Sequence, residues 1–325
     1  METMKQLSRE KNKVKIVQIL KDYMLVLFVI LLCVVFNVIN PKFLGGSNMQ
    51  NLLRQTAVNA IISIGMLIPI ITGGIDLSVG AVSSFAGVLV AGFLTNNGMG
   101  IWPACILVMI IGIGIGAFTG FLVTFMNIAP FIATLAVMTI IEGIKYIYCH
   151  SVSIFIVNER FMDLGSGSTL NIANPIWLML IVAILMQLVM SKTVYGRSLY
   201  ALGGNRNAAR LAGINTNMMI FSSYIVSAVC TTFAGLILAS RLGVGSPLAG
   251  ATTVNNCIAG VVIGGGSLAG GRGKPSMVLF GAFVIGMVAN FLNLMGVQSY
   301  TQKVFVGIII ILAVYASERS KSKKA

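Results

Sequence analysis

Residues 101–126 read IWPACILVMIIGIGIGAFTGFLVTFM, and no side chain in this stretch carries a charge at neutral pH. A helix needs about 20 predominantly apolar residues to cross the hydrocarbon core of a bilayer, so this run is long enough to span it. The rest of the chain is similar, because 57% of its 325 residues are hydrophobic, 9% are charged and the mean hydropathy is +0.95. Soluble domains carry about 25% charged residues. The composition therefore excludes a large soluble enzyme and predicts a polytopic membrane protein.

Outward from this run, further apolar segments predict an all-α fold with about 10 transmembrane helices. The run at 24–39 follows basic residues, as the core of a signal peptide would. However, the residues that come next, Asn40-Pro41-Lys42, offer no small-residue cleavage site, so we interpret the run as an uncleaved first helix. The predicted spans are 24–39, 57–72, 75–94, 101–126, 129–148, 175–191, 217–240, 254–268, 276–296 and 303–316.

The net charge is +14, and ten of the 22 Lys and Arg residues lie at the two ends of the chain, six before the first apolar run and four after the last. Basic flanks of membrane spans stay in the cytoplasm, and a surface that binds nucleic acid would need a soluble fold to display it. Ten spans put both ends inside, whereas nine would put the C-terminal cluster outside. We therefore expect a cytoplasmic segment at 1–22, a transmembrane domain at 23–317 with a cytoplasmic loop at about 192–216, and a cytoplasmic tail at 318–325.

Two glycine-rich segments interrupt the apolar runs, at 70–80 (IITGGIDLSVG) and at 264–273 (GGGSLAGGRG). Irregular backbone inside a membrane is tolerated only where protein or a water-filled cavity satisfies its polar groups. Paired interruptions also point to the transport site in transporters built from repeats. For the second segment we prefer a tight cytoplasmic turn between two spans. Gly112, Gly116 and Gly120 are a separate feature, a stripe of small residues that lets another helix approach closely.

Asp76 and Glu142 are the two acidic residues inside the predicted spans, where an ionisable group suggests function. Asp76 follows the Gly-Gly break and is expected to accept N–H groups at a helix start, although a direct role in a pathway stays open. Glu142 precedes Lys145 by three residues, so an ion pair along the helix is favoured over a proton relay. Five other polar residues of the predicted spans are candidates for lining a transport pathway: Asn59, Ser78, Ser83, Thr134 and Asn290. Each of them could instead hydrogen-bond between packed helices.

Sites for catalysis, nucleotides and metals are missing from the sequence. The one Gly-Lys pair, Gly273-Lys274, is followed by Pro275 instead of the Ser or Thr of a phosphate-binding loop. His150 is the only histidine, and no Cys-x-x-Cys pair exists, so neither a metal site nor a Ser–His triad is expected. We predict no catalytic residue, no metal and no cofactor in this chain.

Residues 195–214 read YGRSLYALGGNRNAARLAGI and form the most specific motif of the sequence. A short polar helix is predicted over Asn207–Ala212, and Gly213 ends it. A brief, basic helix outside the membrane is a suitable handle for a soluble partner. This loop closely resembles the coupling loop of the ribose-type sugar permeases of bacterial ABC importers.

Three further segments resemble the same family in the same order: residues 72–80 (TGGIDLSVG), 130–135 (PFIATL) and 262–273 (VIGGGSLAGGRG). The resemblance runs from about residue 45 to the C-terminus. The sequence departs from the family pattern at Asn207, where a Glu is common, and at Val254 and Asn256, which align with a Glu and an Asp.

The resemblance implies an ABC importer permease fold and a multi-pass protein of the bacterial inner membrane. It implies a membrane subunit of an ATP-driven importer for a monosaccharide, paired with a second copy or a paralogue and surrounded by lipid. ATP and Mg would be bound by a cytoplasmic ATPase, and a separate extracytoplasmic protein would deliver the sugar. Ribose is the expected sugar, and autoinducer-2, galactose, galactofuranose, xylose, inositol, a nucleoside or a branched-chain amino acid are alternatives.

The resemblance also implies how the loop contacts the ATPase. Ala208 and Ala209 would be small enough for close approach, Leu211 would be the apolar anchor, and Arg197 and Arg210 would form a charged rim. The residues assigned to coupling are Gly196, Arg197, Gly203, Gly204, Asn205, Asn207, Ala208, Ala209, Arg210, Leu211 and Gly213. Two other classes of protein remain as alternatives. An ion-driven secondary transporter would need buried acids along a path, and a membrane-embedded enzyme would need a clustered catalytic set.

Overall fold

The computed structural model describes residues 24–322, and within that range the chain forms thirteen helices and four two-residue strands. The helices are α1 Met24–Ile39, α2 Gly46–Ile71, α3 Val79–Thr95, α4 Ile101–Thr124, α5 Pro130–Tyr148, α6 Glu159–Ser166, α7 Asn174–Lys192, α8 Val194–Gly204, α9 Arg206–Leu211, α10 Thr216–Leu242, α11 Thr253–Ile263, α12 Pro275–Leu294 and α13 Ser299–Ser322. The strands are β1 Ile154–Phe155, β2 Ser168–Thr169, β3 Ile172–Ala173 and β4 Val244–Gly245. Two antiparallel pairs result, β1 with β4 and β2 with β3.

Each of the ten predicted spans overlaps a helix, although 75–94 begins four residues before α3 and 254–268 extends five residues beyond α11. In the described part of the chain, six helices are long and apolar enough to cross a membrane: α2, α4, α5, α7, α10 and α12. Four others are apolar but shorter, namely α1, α3, α11 and the apolar part of α13. The predicted basic segment 1–22 and residues 323–325 of the predicted tail lie outside the described residues. The expected boundary at 317 is not visible in the backbone, since α13 continues to Ser322.

The core of the bundle is formed by α2, α3 and α10, which are mostly buried, whereas α4, α5, α7 and α12 surround them and are about one-third buried. The glycine stripe of α4 packs on α10, as predicted. A Cβ atom at Gly116 would lie 2.6 Å from the Cβ atom of Ala228, so this approach requires glycine at position 116. The apolar faces of the surrounding helices remain exposed, which suits contact with lipid rather than water.

The expected interaction of Glu142 with Lys145 is present as an electrostatic interaction, but the direct polar contact of Lys145 is with another residue. Lys145 is buried, and its Nζ donates a hydrogen bond to Ser84 Oγ on α3 at 3.0 Å, while Glu142 is exposed on the outer face of α5. The spacing of three residues places the two groups near each other, but the inward packing of α5 on α3 gives the lysine a different partner. Lys145 also lies 5.0 Å from the centroid of the Tyr146 ring, which favours the cation.

Candidate functional site

The first break, residues 72–78, carries the chain from the end of α2 back into the bundle. Asp76 is buried there, and its Oδ1 accepts from the Ser78 N–H at 3.0 Å and from Ser78 Oγ at 2.6 Å. Its Oδ2 accepts from Ser227 Oγ of α10 at 2.7 Å. Asp76 therefore receives a free N–H at the start of α3, as expected from sequence, and also ties that start to the core helix.

A second break, which was not predicted from the sequence, lies at 243–252 between α10 and α11 and includes β4. This segment is not helical, and it packs along α3 through its glycines. A Cβ atom at Gly245 would meet Gly87 O at 2.5 Å, and one at Gly250 would collide with Gly80 O. The signal was present in the cluster of Gly and Pro in this segment, but such clusters equally mark loops outside the membrane.

The two breaks meet where α3 and α11 begin. A Cβ atom at Gly80 would lie 2.7 Å from Gly250 O and 3.0 Å from a methyl group of Val254. Cys257, one turn into α11, donates to the backbone oxygen of Asn59 near the middle of α2, at 3.6 Å. Both helices therefore begin about half-way along the long helices. Non-helical backbone at this depth is the pattern that marks the pathway in transporters with broken helices.

The segment at 264–273 is a turn between α11 and α12, which is the interpretation preferred from sequence. Gly265, Gly270, Gly271 and Gly273 all adopt positive φ angles, between 72° and 145°. Residues with a Cβ atom rarely adopt this conformation, so the glycine content of the turn is explained by its backbone.

The predicted coupling loop contains two helices. α8 was not predicted, and α9 begins and ends one residue earlier than expected. Asn205 caps α9, since its side chain accepts from the Ala208 N–H at 3.0 Å. Gly213 follows α9 with a φ of +81°, which fits its predicted role as a helix stop.

The side chains of α9 divide into a buried and an exposed face. Ala209 is buried against Leu202, Ile220 and Tyr224. The expectation that Ala209 offers a surface for close approach is therefore wrong. In this short helix, the side chain of Ala209 points toward the body of the protein. Leu211 is 90% exposed, which is unusual for an apolar side chain. The other exposed residues among those assigned to coupling are Arg197, Gly204, Asn205, Asn207, Ala208, Arg210 and Gly213.

Three motifs that are far apart in sequence meet beside α8, at a contact that we call the glycine junction: Ile71, Gly203, Gly270 and Gly271. The Gly271 N–H donates to Ile71 O at 2.9 Å. A Cβ atom at Gly203 would collide with Ile71 O and lie 2.6 Å from Gly271 N. Next to the junction, Tyr200 Oη donates to Gly273 O at 2.6 Å. Gly196 has a similar role at the α7–α8 corner, where a Cβ atom would lie 2.6 Å from Met190 C.

The polar pathway candidates do not form one cluster. Ser78 and Thr134 lie near Asp76, and Thr134 Oγ1 donates to Ile75 O at 3.1 Å. Ser83 is one turn further along α3 and donates to Gly80 O at 2.9 Å. Asn59 is half-buried on α2 beside α11. Asn290 pairs with Asn48 through two amide hydrogen bonds of 2.9 and 3.0 Å, which ties α12 to α2.

Comparison with known proteins gives the context for this geometry. Residues 48–314 match the model of a family described as a branched-chain amino acid transport system permease component. The chain belongs to this family. The family is one of transport permeases, and membership in an ABC importer implies an ATPase partner and a binding protein. No solved structure matches the chain.

Three relatives illustrate the range of this family. A ribose import permease protein of Haemophilus influenzae is 39% identical over 299 residues, which cover 91% of this chain and 92% of the relative. A D-allose transport system permease protein of Escherichia coli is 35% identical and covers 89% of each chain. An L-arabinose ABC transporter permease protein of Azospirillum brasilense is 32% identical, covering 87% of this chain and 84% of the relative.

Proposed function

We propose that this family member is the membrane subunit of an ATP-driven importer for a monosaccharide, with ribose as the first candidate. The observation that carries the proposal is the similarity to permeases of three different sugars along about nine-tenths of the chain. The chain itself supplies the membrane passage, and ATP hydrolysis takes place in the partner. A pair of copies, or a pair with a paralogue, provides the second wall that a central passage needs.

Transport in proteoliposomes tests this function. The permease is reconstituted with the cognate ATPase and binding protein, and uptake of labelled D-ribose, D-allose, L-arabinose and leucine is measured. We expect uptake of at least one of the sugars, dependent on ATP and on both partners, and no uptake of leucine. Uptake driven by an ion gradient without the ATPase would identify a secondary transporter instead, and uptake of leucine alone would exclude the sugar function.

We infer that the ATPase docks on the exposed face of α9, so that this side of the molecule faces the cytoplasm. Leu211 is the apolar anchor in this arrangement, because an exposed leucine loses its contact with water when a partner covers it. Ala208 permits close approach, and Arg197 and Arg210 surround the contact. Asn207 takes the place of the Glu that is common in the family, so the rim is more positive in this chain and favours an acidic partner surface.

Arg210→Ala tests the charged rim. We expect binding of the ATPase to weaken by no more than about five-fold at low salt, because exposed ion pairs contribute about 0–1 kcal/mol. The effect should shrink toward zero near 1 M salt, where the screening length falls to about 3 Å. Affinity is measured at several salt concentrations on nanodisc-embedded protein. Arg160→Ala is the control, since Arg160 is an exposed arginine on α6 outside the docking face. A loss that does not depend on salt would contradict a rim role.

We further propose that the sugar passes beside the meeting point of the two breaks. Asp76 and Ser78 lie there just before α3, and Ser83 lies in its first turns. Thr134 and Asn59 lie on neighbouring helices, and Asn290 extends the set toward the opposite end of α2. A neutral sugar needs a few hydrogen-bonding groups between apolar walls, and weak binding lets it leave. Replacement of Asn59, Ser78, Ser83, Thr134 and Asn290 together by Ala or Val should slow transport, and an unchanged rate in a well-folded protein would exclude this set.

A further inference from the structure

Helix α8 contacts both glycine-rich segments with its second half. Tyr200 holds the turn before α12 through Gly273 O, and Gly203 touches both the end of α2 and Gly271. Asn205, which directly follows the last residue of α8, caps α9. The docking helix is therefore one residue away from a helix whose backbone rests on the two segments that lead into α3 and α12.

We propose that α8 is a mechanical relay, and that Tyr200 and Gly203 are the positioning residues that pass a displacement of α9 to both segments at once. This role rests on the proposed docking of an ATPase at α9. It assigns a function to the glycine junction that membership in the family does not supply.

The contacts of the junction are suited to such a relay because they join backbone to backbone. No side chain lies between Gly203 and Ile71 O, so no rotamer change can absorb a movement of α8. Packed interiors have low compressibility and transmit strain. The hydrogen bond from the Gly271 N–H to Ile71 O makes the two segments move together. A shift at α8 therefore acts in the same step on the end of α2, which leads into the first break, and on the turn that leads into α12.

Tyr200 provides the lateral hold. Its ring is half-buried, and burial raises the pKa of its hydroxyl, which therefore stays protonated and able to donate to Gly273 O at neutral pH. Without this hydrogen bond, α8 would still contact the junction through Gly203 but would no longer be bonded to the turn that leads into α12. A movement of α8 toward the junction would still be transmitted, but a movement of α8 away from it would no longer move the turn before α12.

Tyr200→Phe tests the relay, because it removes one hydroxyl and keeps the ring. We expect normal co-purification of the ATPase and normal basal ATP hydrolysis, with D-ribose transported per ATP hydrolysed falling about five-fold, as for the loss of one neutral hydrogen bond. Tyr195→Phe is the matched control. Tyr195 is also on α8, but its hydroxyl bonds Ser222 Oγ on α10 at 3.0 Å, away from the junction, so this ratio should not change.

Gly203→Ala is the stronger variant, since its methyl group forces α8 away from Ile71 and Gly271. We expect the ATPase still to bind and binding-protein-stimulated transport to fall by at least ten-fold. Gly114→Ala on α4 is the control, because a Cβ atom there has no neighbour within 4 Å. Hydrogen exchange at the Gly271 amide reports on the junction itself and should accelerate in Gly203→Ala and Tyr200→Phe but not in either control.

The outcomes separate the relay from the docking proposal. If the wild-type permease does not bind the ATPase, the docking proposal fails. If it binds, and Tyr200→Phe keeps the wild-type ratio of sugar to ATP, the relay is wrong while docking stands. A parallel loss of ATPase binding and transport in Tyr200→Phe would also overturn the relay, because the hydroxyl would then serve only to hold the docking segment in shape.

Discussion

Ala208→Trp is expected to weaken binding of the ATPase about 100-fold in a permease that folds and inserts normally. Ala208 is exposed on α9, so the indole has room in the isolated subunit. In the proposed complex it would lie at the centre of the docking face, where disruption of a well-packed contact costs about 2–4 kcal/mol. We therefore expect affinity to fall by about 100-fold, measured by co-purification and by titration of the ATPase onto nanodiscs.

Ala208→Ser is the matched control, since it changes the same position by one oxygen atom and should bind the ATPase as the wild type does. Ala209→Trp is expected to behave differently. Ala209 is buried against Tyr224, so the larger side chain should displace α9 and lower the thermal stability of the permease itself. Full coupling in Ala208→Trp would show that the ATPase contacts another part of the molecule.

Asp76→Leu is expected to destabilise the protein by about 3 kcal/mol or more. The change removes the acceptor of three hydrogen bonds and leaves the Ser78 N–H, Ser78 Oγ and Ser227 Oγ without it in a buried place. Each buried donor left unpaired costs about 1–3 kcal/mol. The unfolding midpoint of the purified protein should fall by about 5 °C or more.

Asp76→Asn separates shape from charge at this position. The amide oxygen of Asn can still accept hydrogen bonds, so we expect a smaller loss of stability than in Asp76→Leu. Thr139→Ala is the control and should have no effect, because it removes an exposed hydroxyl that bonds only within its own helix. Equal stability of Asp76→Leu and the wild type would mean that the tie between the start of α3 and α10 is not needed for the fold.

The spans could be predicted because a membrane imposes a simple requirement on composition. Long apolar runs such as 101–126 have few other structures open to them, and each of the ten predicted runs contains a helix. The break at 72–78 was also predictable, since an acid between a Gly-Gly pair and an apolar run is costly unless irregular backbone surrounds it. Both inferences depend only on local sequence.

The rest depends on tertiary contacts. The glycines and proline of 243–252 predict irregular backbone, but its depth is set by the approach of Gly245 and Gly250 to α3, which no local pattern encodes. α8 has three glycines in eleven residues and a weak intrinsic preference for helix. It is held by hydrogen bonds from Tyr195 to α10 and from Tyr200 to the turn before α12. The burial of Ala209 likewise follows from its packing against Leu202, Ile220 and Tyr224.

The short α11 has a consequence for how the protein is made. Its 11 residues extend about 16 Å, roughly half of the 30 Å that a nascent segment must cover to be stable alone in lipid. The non-helical stretch that precedes it exposes backbone that lipid cannot satisfy. Its partners α2 and α3 are synthesised earlier, whereas α12 and α13, which it also contacts, follow it in the chain. α11 therefore has only part of its contacts until those two helices are made. We expect the second half of the protein to complete its insertion late, with α11 entering together with α12 as one hairpin against a preassembled wall.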